Sequence, residues 1–86
     1  MGKFEKLREK ILAGLSDGNI EFEALCHLLV RLGFSARVRG SHHIFTRQGI
    51  TEIVNLQPRG SLAKDYQVKQ VRRIMVQYRL GANDVD

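Results

Sequence analysis

The sequence predicts an α+β domain in which two helices precede three short antiparallel strands and a third helix closes the chain. Apolar residues recur at helical spacing through residues 3–32 and again from Asp65 to Arg79. Between these segments the apolar pattern changes to a period of two, which is typical of half-buried strands. The chain has 86 residues, enough for one small domain. Short antiparallel strands beside helices favour a sheet with the helices packed on one face.

The two N-terminal helices are predicted from amphipathic spacing. The first spans residues 3–15 and ends at a polar breaker cluster. Asn19 is expected to cap the second helix, which runs to about Leu32, because its side-chain oxygen can accept an unpaired backbone N–H. Gly33 then supplies a left-handed stop, and Phe34 can pack back onto the last turn.

Three strands are predicted from the alternation that follows. The first covers residues 34–39, and Gly40 provides the turn into the second strand at residues 41–47. A Gln-Gly pair offers a tight hairpin into the third strand at residues 50–56. Pro58 ends that strand because proline cannot donate a hydrogen bond to the ladder.

The closing helix is predicted from Asp65, its N-cap, to Arg79, with Gly81 as the stop. Its apolar stripe consists of Val68, Val71, Ile74, Met75 and Tyr78. The predicted organisation is an extra N-terminal helix and turn at residues 1–18, a main domain at residues 19–81 and a frayed tail at residues 82–86.

The amino-acid composition excludes several classes of protein. Hydrophobic residues make up 43% of the chain, which is too many for a disordered protein. No apolar run approaches the roughly 20 residues that span a bilayer, and no signal peptide is recognisable. The single cysteine, Cys26, cannot form an internal disulfide or hold zinc alone. We therefore expect a cytoplasmic protein with no membrane association, no metal and no small-molecule cofactor.

The basic charge is concentrated in the second half of the chain. Residues 34–80 contain nine basic and two acidic residues, whereas residues 1–33 are balanced. Arginine dominates this basic half, and its planar guanidinium suits bidentate phosphate contacts. Such one-sided charge is typical of a nucleic-acid binder, although a solvated surface or a face for an acidic partner protein would look the same.

Most side chains that could take part in catalysis are better interpreted as core or surface residues. Cys26 is expected to be a small core residue and His27 a surface residue. Tyr66 and Tyr78 are interpreted as packing residues, and Glu52 as a surface carboxylate. No glycine-rich phosphate loop is present.

The informative segment is Arg39-Gly40-Ser41-His42-His43-Ile44-Phe45, in which either Ile44 or Phe45 can face the core. Adjacent histidines on a strand point to opposite faces, and the alternation does not decide which imidazole is exposed. Either one is expected beside Arg37, Arg39 or Arg47. A neutral imidazole can accept the proton of an RNA 2′-hydroxyl, and guanidinium groups can stabilise the charge that develops on phosphorus.

This segment, following Leu32-Gly33-Phe34 and preceding two further strands and a basic helix, resembles the HicA family over about residues 20–80. HicA proteins are small toxins of bacterial type II toxin–antitoxin systems. The resemblance implies a fold like the double-stranded-RNA-binding domain, α-β-β-β-α. It implies metal-independent endoribonuclease activity on mRNA with an essential histidine, and a HicB-type antitoxin protein as partner.

Carried onto this chain, the motif covers Gly40, Ser41, His42 and His43. His42 is the first choice for the catalytic residue and His43 the second. The residues expected to contact RNA are Arg37, Arg39, Gly40, Ser41, Arg47, Lys69, Arg72 and Arg73.

The chain departs from the family pattern in two places. No histidine follows Pro58, so a second acid–base group is missing there, and residues 1–18 are additional. A non-catalytic RNA-binding module of the same fold, or a basic protein-interaction domain, is therefore the alternative interpretation.

Overall fold

The computed structural model describes residues 2–81 and has an α+β architecture, as predicted. The predicted frayed tail at residues 82–86 lies outside the described residues. The elements are α1 (Lys3–Ala13), a 3₁₀ turn (Asp17–Asn19), α2 (Phe22–Arg31), β1 (Ser35–Arg39), β2 (His42–Arg47), β3 (Ile50–Leu56), β4 (Pro58–Arg59), β5 (Leu62–Ala63) and α3 (Asp65–Tyr78).

The main sheet has three antiparallel strands in the order β1-β2-β3. In β1 and β2, Arg39 lies opposite His42 and Arg37 lies opposite Ile44. Directly opposed residues point to the same face of a sheet, so these four side chains share one face. The opposite face carries Phe45 and its β3 partner Val54.

A single hydrophobic core lies between the Phe45 face of the sheet and the helices. Phe45, Val54 and Leu56 from the sheet are all at most 1% exposed. Leu25 of α2 and Val71 of α3 are fully buried in the same cluster. The prediction of helices packed on one face is thus confirmed, and the outer face of the sheet is left uncovered by any element within residues 2–81.

The N-terminal helix belongs to this core. Ile11 of α1 is fully buried in it. The helix is two residues shorter than predicted, because Gly14 adopts a left-handed conformation with φ 74° and ends it after Ala13.

The start of α2 differs from the prediction. Asn19 closes the 3₁₀ turn instead of capping the helix, and Glu21 is the residue before α2. The Phe22 N–H donates to the backbone oxygen of Ser61 at 2.9 Å. A backbone carbonyl that is distant in sequence therefore accepts a hydrogen bond from the helix N-terminus, the role that was predicted for the Asn19 side chain.

That carbonyl lies in the turn of a second, two-stranded sheet that the sequence pattern does not reveal. β4 and β5 pair antiparallel, with Pro58 opposite Ala63. Strands of two residues are too short to show an alternation, so the sequence does not predict this hairpin. Pro58 does lie beyond the end of β3, as expected.

The end of α2 follows a local rule, whereas α3 differs from the prediction at both ends. Gly33 has φ 100°, and the Phe34 N–H donates to the Leu29 oxygen at 3.0 Å, which confirms the predicted stop. Asp65 is the first helical residue of α3 and Lys64 the N-cap, so the predicted N-cap is wrong by one position. The helix stops at Tyr78, and its left-handed C-cap is Arg79, with φ 55°, and not Gly81. No helix in the described part of the chain is long and apolar enough to cross a membrane.

Candidate functional site

The two adjacent histidines lie on opposite faces of β2, and the structure decides which is exposed. His42 is exposed on the uncovered outer face. His43 is half-buried on the core side, where its ring meets Phe22 edge-on with centroids 4.9 Å apart. Its Nδ1 atom is buried without a hydrogen-bond partner among the described residues. Of the pair, His42 is the imidazole presented to solvent on the sheet surface.

The His42 ring is held by a residue that the sequence did not single out. Its Nδ1 atom lies 3.1 Å from Oδ1 of Asn55, on β3. Because an amide oxygen can only accept, Nδ1 carries the hydrogen in this contact. In the neutral ring, Nε2 then has a free lone pair. The contact therefore prepares His42 to accept a proton at Nε2.

His42 opens into a shallow groove of about 300 Å³ between the outer face and α3. The groove is lined by His42, Ile53, Asn55, Gln57, Tyr66, Gln67 and Gln70. Ile53 is 60% exposed and Tyr66 is 62% exposed. The groove thus combines one imidazole, several amides and two exposed apolar surfaces.

Tyr66 corrects an expectation from the sequence. It was interpreted as a packing residue, but its ring is largely in solvent. A helix turns about 100° per residue, which places Tyr66 about 200° from Val68 of the buried stripe. The helical spacing was therefore the signal that could have identified it. Tyr78 is half-buried against the core, as expected, and its hydroxyl donates to Glu52 at 2.7 Å.

A hydrogen-bonded chain fixes one end of the groove. Gln57 donates from Nε2 to Ser41 Oγ at 3.1 Å, and Lys64 Nζ donates to Gln57 Oε1 at 3.5 Å. The Gln67 side chain is fully buried. With its amide oxygen toward the Gln57 N–H, it makes two bonds to the Gln57 backbone, of 2.9 and 3.2 Å. Ser41, predicted to contact RNA, is thus joined to the groove wall.

Two of the predicted arginines lie near His42. Arg39 is directly opposite it across the β1–β2 ladder, and Arg37 lies two residues further along the same face. Both are exposed. Gly40 takes φ 59° in the turn between the strands, a left-handed value that favours glycine.

Arg47 lies elsewhere. It ends β2, five residues from His42, which corresponds to roughly 16 Å along a strand. Its side chain passes Gly33, and it lines a separate pocket of about 260 Å³ with Arg31 and Arg79. The structure therefore does not bring Arg47 next to the exposed imidazole.

The three α3 residues predicted to contact RNA differ in whether their side chains are already held by other residues. Lys69 and Arg73 are exposed. Arg72 donates to both carboxylate oxygens of Asp17, at 2.8 and 3.0 Å, and to the Ile11 carbonyl at 3.1 Å. These hydrogen bonds lower the pKa of Asp17 and raise that of Arg72. The Arg72 guanidinium thus ties α3 to the N-terminal segment.

A cavity of about 560 Å³ lies on the core side near His43 and Cys26. Burial, with a contribution from Glu23, raises the pKa of the Cys26 thiol to about 11. A thiol with that pKa is a poor nucleophile at neutral pH, which agrees with its interpretation as a core residue. Within residues 2–81, no group of three or more histidine, cysteine or carboxylate side chains is arranged to hold a metal ion.

Comparisons of the chain with protein-family models, with curated proteins and with solved structures give no significant match.

Proposed function

We propose that this protein is a metal-independent endoribonuclease that cleaves mRNA in the cytoplasm, with His42 as general base. The observation that carries the proposal is the His42–Asn55 contact of 3.1 Å, on an open groove beside Arg39. When the ring is neutral, this contact leaves Nε2 as the nitrogen that can accept a proton. His43, the second choice from the sequence, is packed against Phe22 and is assigned no catalytic role.

The proposed reaction uses the nucleophile that RNA carries. His42 Nε2 takes the proton of a 2′-hydroxyl, and that oxygen attacks the adjacent phosphorus. The bond from phosphorus to the 5′-oxygen breaks, and this oxygen leaves with a proton from solvent or from an imidazolium. The products are a 2′,3′-cyclic phosphate and a 5′-hydroxyl. Arg39 and Arg37 stabilise the negative charge that accumulates on the phosphate oxygens.

The fold and charge are consistent with RNA as the ligand. We assign the domain to the double-stranded-RNA-binding-domain type, in which contacts to phosphates and 2′-hydroxyls dominate. The exposed Lys69 and Arg73 on α3 can extend the phosphate contacts beyond the groove. Arg72 is left out of this surface because Asp17 occupies its guanidinium.

The biological role we propose is that of a HicA-type toxin with a HicB-type antitoxin as protein partner. The resemblance of the Gly40–His43 segment supports this assignment. An acidic partner that covers the outer face would compete with RNA for Arg37 and Arg39. An adjacent reading frame for a HicB-like protein is the inexpensive check of this part.

A non-catalytic RNA-binding module is the second candidate, and one observation favours it. Among the described groove residues, His42 is the one imidazole and there is no carboxylate, so no second strong acid–base group is at hand. Such a module would bind RNA through the same arginines without cutting it.

The test is cleavage of an end-labelled mRNA by the purified protein in excess EDTA. His42→Ala is expected to lower the rate by about a hundredfold or more, since general-base catalysis contributes that much. His27→Ala is the matched control, because His27 is an exposed imidazole on α2 outside the groove. Salt-sensitive RNA binding by all three proteins without any scission would establish the binding module and reject the nuclease.

A further inference from the structure

We propose that Tyr66 forms a subsite that stacks an unpaired nucleobase next to the phosphate cleaved at His42. The inference rests on the proposed ribonuclease function and specifies its substrate: single-stranded RNA, with one base splayed out into the groove. Ile53 forms the apolar wall beside Tyr66, and Asn55 and Gln70 supply hydrogen-bonding groups.

The groove that holds the His42 imidazole also exposes apolar surface. Tyr66 and Ile53 come from different elements, α3 and β3, and both are at least 60% exposed. Both line the groove that His42 opens into. A base stacks on an aromatic ring whatever its identity, because every base has a π-face. Because Tyr66 and His42 line the same groove, this stacking surface is accessible to an RNA whose phosphate lies at His42.

The side-chain amides that line the groove differ in how many of their hydrogen-bonding groups are already in use. Within the described residues, Gln57 uses both ends of its amide, toward Ser41 and Lys64. By contrast, Asn55 uses only Oδ1, toward His42, and the half-buried Gln70 lines the same groove with its amide. Gln70 follows Tyr66 by four residues on α3, so the two side chains are neighbours on the helix surface. The Asn55 and Gln70 amides can therefore meet the edge of a base stacked on Tyr66.

The bases of duplex RNA are not available to Tyr66. In an A-form helix they are stacked on each other, and the deep groove of the helix is closed to side chains. A base can reach Tyr66 only when it is unpaired. The subsite therefore selects loops and single strands, while Arg37 and Arg39 contact the backbone of either form.

Tyrosine fluorescence tests the subsite without any cleavage. The chain has two tyrosines and no tryptophan, so in Tyr78→Phe the emission comes from Tyr66 alone. Tyr78 bonds to Glu52 outside the groove, and circular dichroism checks that this variant folds. A short 2′-O-methyl single strand, which cannot be cut, is expected to quench the emission at concentrations where a duplex of equal length does not. Equal quenching by both, or by neither, would overturn the proposal.

Kinetics separate stacking from other roles of Tyr66. Tyr66→Ala is expected to raise KM for single-stranded RNA about tenfold, the effect of one lost base–aromatic stack. Tyr66→Phe keeps the ring and should behave as wild type. Val76→Ala is the matched control, since Val76 is equally exposed on α3 but lies outside the groove.

Two kinetic results would contradict the subsite. One is a wild-type KM in Tyr66→Ala. The other is a loss of kcat in Tyr66→Phe, which would assign the hydroxyl to the chemistry. If the wild-type protein cuts no RNA, the proposed function fails, and the fluorescence titration still decides whether Tyr66 binds a base.

Discussion

His42 and Asn55 stand on neighbouring strands of the outer sheet face, with Nδ1 of the imidazole 3.1 Å from Oδ1 of the amide. The contact selects the tautomer that leaves Nε2 free, and it limits rotation of the ring. An exposed histidine without such a partner would sample several orientations and both tautomers. Asn55 is therefore a positioning residue that acts through His42.

Replacement of Asn55 tests this role. Asn55→Ala should lower kcat about tenfold and change KM less, because the imidazole loses its orientation while the arginines remain. Asn55→Asp keeps the hydrogen bond but places a carboxylate beside the ring, which stabilises imidazolium. The acid limb of the pH–rate profile should therefore move to higher pH in this variant. A wild-type kcat for Asn55→Ala, together with an unchanged pH–rate profile for Asn55→Asp, would show that Asn55 does not position His42.

The arginines should differ in effect according to their distance from His42. Arg39→Gln should lower kcat/KM about tenfold or more, because Arg39 pairs directly with His42 across the β1–β2 ladder and shares its face. Arg47→Gln, at the other end of β2, should weaken RNA binding without lowering kcat. Arg59→Gln is the charge-matched control outside both regions. Each lost phosphate contact should reduce the slope of log Kd against log salt by about one. An Arg47 variant with the larger loss of kcat would place the reacting phosphate at the wrong end of the sheet.

The Asp17–Arg72 pair should contribute to the free energy of unfolding in a pH-dependent way. Its hydrogen bonds lower the pKa of Asp17 in the folded protein, so the unfolded state binds more protons below about pH 4. The contribution is complete at neutral pH and is lost as the pH falls through the depressed pKa. Asp17→Asn should cost about 1–2 kcal/mol at pH 7, from urea unfolding.

The difference between Asp17→Asn and wild type should shrink as the pH falls through the depressed pKa of Asp17. Glu9→Gln removes the same charge from an exposed position of α1 and should cost little at either pH. A cost for Asp17→Asn that is constant with pH would show that the ion pair is not its source.

Cys26 should react slowly with thiol reagents. Burial raises its pKa to about 11, so only about a thousandth of it is thiolate at pH 8. Labelling by a disulfide reagent should therefore be much slower than that of glutathione, and should accelerate as the pH rises or when urea unfolds the chain. Fast labelling of the folded protein at pH 7 would contradict the burial of this thiol.

The strands and the helix ends were predictable where one local rule decides them. The alternation from Ile50 to Leu56 gave the third strand with the observed bounds. Gly33 and Phe34 gave the end of α2, since a left-handed stop and its hydrophobic contact are read from adjacent residues.

The rest depends on contacts between distant residues. Ser61 satisfies the N-terminus of α2 across some 40 residues of sequence, and no local pattern near Asn19 reveals it. The exposed histidine was undecided because both Ile44 and Phe45 could face the core. Phe45 does so by packing in the core with Val54 and Leu56, which only the assembled fold provides. In the sequence Asn55 is not distinguishable from other polar residues, because its position beside His42 depends on the register between β2 and β3.

The central claim is that His42 takes the proton of an RNA 2′-hydroxyl without help from a metal ion. The most direct measurement is cleavage in excess EDTA of one RNA and of the same RNA with a single 2′-deoxynucleotide at the mapped cleavage site. Wild type should cut the all-RNA substrate and leave a 2′,3′-cyclic phosphate end. No scission is expected at the deoxynucleotide, and little scission is expected from His42→Ala. Cleavage at the deoxynucleotide, a wild-type rate for folded His42→Ala, or an inert wild-type protein would each contradict it.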